Sequence, residues 1–98
     1  MGAPEGVMPR QIVIEFDFGS DGPPQFSRAL DFNESLFRLA RNDKWVSYPR
    51  DQMDRATTQR VNVKSARRLR RVLAKIEKLI RDHDLERIAR VTVVVPPT

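Results

Sequence analysis

The stretch "SARRLRRVLAKIEKLIRDHD", residues 65–84, decides the fold. At the helical step of about 100° per residue, Ala66, Leu69, Val72, Leu73, Ile76, Leu79 and Ile80 gather into one stripe. Such a stripe predicts an amphipathic helix from Ser65 to about Asp82, with its apolar side on the core. Arg67, Arg71, Lys75 and Lys78 fall round the opposite side, and Arg70 and Arg81 flank it.

Working outward, "QRVNVK" (59–64) precedes this helix and "RVTVVVPP" (90–97) follows it. The first reads as a short strand with Val61 and Val63 facing one way, the second as a strand ended by two prolines. Towards the N-terminus, "QIVIEFDF" (11–18) alternates Ile12, Ile14, Phe16 and Phe18 with Val13, Glu15 and Asp17. A period of two predicts a strand with one buried face. "GSDGPPQ" (19–25) has the composition of a loop. "DFNESLFRLARNDK" (31–44) reads as a helix capped at Asp31 or Asn33, with Leu36, Phe37, Leu39 and Ala40 as its apolar side. "KWVSY" (44–48) is a short strand stopped by Pro49, and "RDQMDRATT" (50–58) a polar loop.

The element order is β-α-β-β-α-β. It leads us to expect an α+β two-layer sandwich of the ferredoxin-like, split βαβ kind: a mainly antiparallel sheet with two helices on one face. Leu69, Leu73, Ile76 and Ile80 should pack on Ile12, Ile14 and Phe16. Residues 1–9, with two glycines and two prolines, are expected to form a flexible tail, and residues 10–98 a single domain.

Composition narrows the function. Hydrophobic content of 40% and charged content of 32% are those of a globular chain. With no cysteine, disulfides, thiolate metal sites and cysteine nucleophiles are excluded. No apolar run is long enough to span a membrane, and residues 1–10 lack the apolar core of a secretory signal, so a cytoplasmic location is expected.

The net charge of +5 is unevenly placed. Residues 1–64 carry nine basic and nine acidic side chains, residues 65–98 nine basic and four acidic ones. The excess therefore begins at the quoted helix. Arginines at a helix start oppose the helix dipole by roughly 0.3–1 kcal/mol each. The Arg67/Arg71 and Arg71/Lys75 pairs add mild like-charge repulsion. An anionic partner reverses these signs, because arginine forks and free helix N–H groups attract phosphate. Against this stands the ordinary reading, a solvated charged face whose arginines bend back to carboxylates.

Nucleic acid is the leading anion for such a patch. Arg67, Arg70, Arg71, Lys75 and Lys78 are the expected contact residues. The alternative is an acidic protein partner, or a protein-interaction subunit or homodimerising regulatory domain with no nucleic-acid role. RNA binding on the sheet face is disfavoured, since the strand at 11–18 would show Val13, Glu15 and Asp17 there rather than stacking aromatics.

The remaining motifs have bland readings. "DFGSDG" (17–22) starts like a calcium loop, but Gly19 and Arg28 stand where ligands belong. His83 is expected to sit at the helix end, and Asp51 and Asp54 to pair on the surface. Trp45 and Tyr48 are expected to complete the core rather than stack on a base. No phosphate loop, nucleophile elbow or metal motif is found, so we expect no enzyme, cofactor or metal.

Overall fold

The structure, a computed structural model, describes residues 8–18, 23–48 and 58–95. Its elements run β1 (Arg10–Phe16), α1 (Pro23–Asn42), β2 (Val46–Ser47), β3 (Thr58–Val63), a 3-10 turn (Ala66–Arg68), α2 (Leu69–Asp82) and β4 (Ala89–Val94). The four strands form one open sheet in the order β2-β3-β1-β4, and every neighbouring pair is antiparallel. The fold is thus α+β, with β1 inside the sheet and β2 and β4 at its edges.

Strand register explains which residues share a face. Ile12 lies opposite Val61 on one side and Val93 on the other, and Phe16 lies opposite Ala89. Ile12, Ile14, Phe16, Val61 and Val63 meet Ala29, Phe32 and Leu36 of α1 and Val72, Ile76 and Ile80 of α2 in one core. Both helices therefore cover the same sheet face. Ile12, Ile14, Phe32, Leu36 and Ile76 have no exposed surface. Leu69 and Leu73 are half-buried at its margin, and the deeper position belongs to Val72.

Helix α1 starts eight residues before the helix expected at Asp31. Pro23 and Pro24 occupy its first positions, where a missing N–H costs nothing and a fixed φ favours the helix. The prolines that mark a loop in the sequence here open a helix. Phe37, expected inward, is 57% exposed and joins Phe26 and Leu30 in an apolar row on the outer side of α1. Phe37 stacks on Tyr48, with ring centroids 5.9 Å apart.

The end of α2 is set by hydrogen bonding. The Leu85 N–H donates to Ile80 O and the Asp84 N–H to Arg81 O, each at 3.0 Å. Asp84 takes a left-handed conformation with φ of 56°. This is the Schellman ending, in which buried Leu85 packs back on Ile80. His83 is the capping residue, its Nε2 lies 3.1 Å from Ser35 Oγ, and its ring meets Phe32 edge-on.

The face turned away from the helices combines Gln11, Val13 and Glu15 with Arg60, Asn62, Arg90, Thr92 and Val94. Arg60 lies opposite Val13 and Arg90 opposite Glu15, so this face is not the acidic one that β1 alone suggests. Its described residues include no aromatic. Asp51 and Asp54, and the heart of the calcium-like stretch, lie outside the described residues. Among the described residues, no cluster of three metal-ligating side chains occurs, and no helix is long and apolar enough to cross a membrane.

Candidate nucleic-acid interface

The arginine-rich start of the helix is a 3-10 turn rather than α-helix, and its backbone donors are already used. The Ala66 N–H donates to Met8 O at 2.9 Å. The Ser65 hydroxyl accepts the Arg67 N–H, and Ser65 O accepts the Arg68 N–H. The Leu69 N–H donates to Ala66 O. Four N–H groups that an unpartnered helix start would offer to an anion are therefore satisfied within the fold. This corrects the expectation that they help hold phosphate; only side chains remain for the task.

Those side chains divide into two sets. Arg71 and Lys75 line a cleft of about 400 Å³ between α2 and the end of α1. Asn42, Asp43, Lys44, Trp45 and Arg68 also line it. Lys75 Nζ lies 3.1 Å from Asp43 Oδ2, so one of the five expected contact residues is already ion-paired. The Arg68 guanidinium sits 4.9 Å from the centre of the Trp45 ring and the Lys44 ammonium 5.5 Å from it, both as cation–π contacts. Trp45 is half-buried and lies outside the core, so it is neither a core residue nor a bare stacking platform.

Asp43 is held by its own neighbourhood. The Trp45 backbone N–H donates to its Oδ1 at 2.9 Å. That bond, the Lys75 ammonium and the nearby Arg71 guanidinium lower the Asp43 pKa from its ordinary value, while partial burial works against them. The carboxylate is ionised at neutral pH and offsets part of the cleft's positive charge.

Arg67, Arg70 and Lys78 make up the second set. All three are exposed, and like Arg71 they have no ion-pair or hydrogen-bond partner for their side chains among the described residues. Arg71 and Lys78, two turns apart, follow one side of α2, and Arg67 precedes them in the 3-10 turn. Arg70 turns towards the flank on which Glu77 and Arg81 approach β4. The five expected residues therefore do not form one patch: Arg70 stands apart, and Lys75 is partly neutralised.

Sequence reasoning missed Lys44, Arg68 and Asp43. Arg68 shares the helix side of Arg71 and Lys75, a signal available from periodicity. The pairing of Asp43 with Lys75 joins residues 32 apart in sequence and left no local pattern. No protein-family model, curated protein or solved structure matches the chain.

Proposed function

We propose that this chain is a non-enzymatic binding module that holds an anionic polymer, nucleic acid foremost, against the exposed side of α2. The observation carrying this reading is that Arg67, in the 3-10 turn, and Arg71 and Lys78, on one side of α2, are exposed and make no salt bridge among the described residues, although Arg71 acts on Asp43 from a distance. A merely solvated helix gains stability from opposite-charge pairs at such spacings. At the start of α2 that local gain is absent, since its first turn holds no acid; opposite charges at this spacing come only later, at Glu77/Arg81 and Lys78/Asp82. Arg68 and Lys44 extend the positive surface into the cleft beside Trp45.

The ferredoxin-like, split βαβ arrangement belongs to the same proposal. The position of β1 between β3 and β4 supports it, whereas β2, at two residues, is shorter than that reading expects. A cytoplasmic setting accords with a nucleic-acid partner.

The test is a salt series of binding titrations with single- and double-stranded oligonucleotides. Affinity should fall steeply with salt, and Lys78→Ala or Arg67→Ala should each reduce the slope by about one phosphate contact. No binding by the parent chain at low salt overturns the proposal. A second reading, a protein-interaction subunit with no nucleic-acid role, draws support from the exposed Phe26, Leu30 and Phe37 on α1.

A further inference from the structure

The sheet edge away from the basic cleft ends in a strand with one unpaired side among the described residues. β4 is the outermost strand on that side. The Asp17 N–H donates to Ile88 O across the β1–β4 register. Antiparallel ladders alternate, so Arg90, Thr92 and Val94 turn their main-chain groups towards β1. Ala89, Val91, Val93 and Val95 turn theirs outward. The Ala89 N–H, for example, turns away from β1 to donate to Leu85 O at 3.0 Å. Among the described residues, the outward groups of Val91 and Val93 face no strand.

This edge lacks the protections that natural edge strands carry. Between Ala89 and Val95 there is no proline or lysine, and the register shows no bulge. Beside the exposed Arg90 and Thr92 it shows apolar surface: Val93 and Val94 are each 38% exposed and Val95 65%.

We propose that β4 pairs antiparallel with β4 of a second copy about a two-fold axis at Thr92, joining two sheets into one. Three observations favour a second copy over another partner. The axis at Thr92 lies midway along residues 89–95, so the whole edge pairs, and outward-facing Val91 meets outward-facing Val93 of the second copy. Arg90 then falls opposite Val94, so the only charge on the strand faces an apolar residue rather than its own copy. Val95, the most exposed of these valines, falls opposite Ala89. There it meets a groove of about 300 Å³ whose apolar lining is Ile80, Ala89 and Val91. Knob and hollow are thus supplied by the same chain, and Glu77, Glu86 and Arg81 at the rim carry both signs. The inference uses no residue of the basic cleft and stands whether or not nucleic acid binds.

The test exploits a chain without cysteine. Two residues opposed at a non-hydrogen-bonded antiparallel pair lie with Cα atoms about 4.5 Å apart, within disulfide reach. Thr92→Cys, oxidised at micromolar concentration without nucleic acid, should give a covalent dimer, whereas Val94→Cys should not. Sedimentation should show a dimer for the parent chain and a monomer for Val93→Pro. That change removes an outward N–H and leaves the β1 ladder intact. Thr92→Lys, which opposes like charges at an exposed position, should also give a folded monomer. A monomeric parent chain overturns the proposal. So does a dimer that survives both variants, or one that Thr92→Cys fails to cross-link.

Discussion

The ammonium of Lys75 lies 3.1 Å from the carboxylate of Asp43, tying the middle of α2 to the residue just after α1. Asp43 also receives the Trp45 N–H, so one carboxylate fixes the turn after α1 and braces the cleft. Because its folded pKa is lowered, its contribution to stability is complete above the ordinary carboxylate range, about pH 4. That contribution is lost as pH falls through the folded value. Asp43→Asn keeps an acceptor for Trp45 but removes the charge. It should destabilise the domain at neutral pH by no more than about 1 kcal/mol, since Lys75 is half-exposed and screened. The difference from the parent should vanish in acid. Urea melts at pH 7 and pH 3 check this; a constant difference would assign the role to hydrogen bonding alone.

Trp45 is the single tryptophan of the chain, so its fluorescence reports on the cleft directly. Arg68→Ala removes the cation 4.9 Å from its ring centre. Emission should shift to the red as water reaches the indole, with a loss of roughly 0.5–1 kcal/mol in stability. Arg68→Lys should restore part of both. An unchanged spectrum in Arg68→Ala would show that the arginine does not cover the ring in solution.

Asp84 holds a left-handed conformation at which glycine has no steric penalty. Its ion pair with Arg28 is exposed on both sides and worth little. Asp84→Gly should therefore stabilise the domain by about 0.5–1 kcal/mol. A lower melting midpoint in that variant would instead assign real weight to the Arg28 contact.

Ile76 has no exposed surface, and its truncation to alanine should cost on the order of 2–5 kcal/mol. Chemical denaturation measures this, and a loss below about 1 kcal/mol would mean that the core closes around the gap.

Ile76 also shows what the sequence makes legible. Strong periods reveal α2 and β1, because each buries one face and the spacing of apolar residues records it. The spacing on α2 is enough to find Ile76 and Ile80, though Val72 lies deeper than Leu73. The start of α1 was hidden because Pro23 and Pro24 have opposite meanings inside a helix and at its first turn. The 3-10 turn at Ala66–Arg68 depends on Met8 O and on Ser65, the first of them far away in sequence. At the candidate site the cations could be read but their partners could not. Asp43 and Trp45 reach α2 only through the tertiary fold.

Strand β1 is made before both strands that flank it. Gln11 must find Asn62 on one side and Val94 on the other, so the sheet closes only after almost the whole domain has been synthesised. A chain halted before Ala89 leaves the main-chain groups of Gln11, Val13 and Glu15 open on the β4 side. Such long-range closure is slow relative to helix formation, and it leaves a sticky central strand waiting during synthesis. Truncations within β4 should thus act as failures of folding, felt throughout the domain, rather than as the loss of one edge.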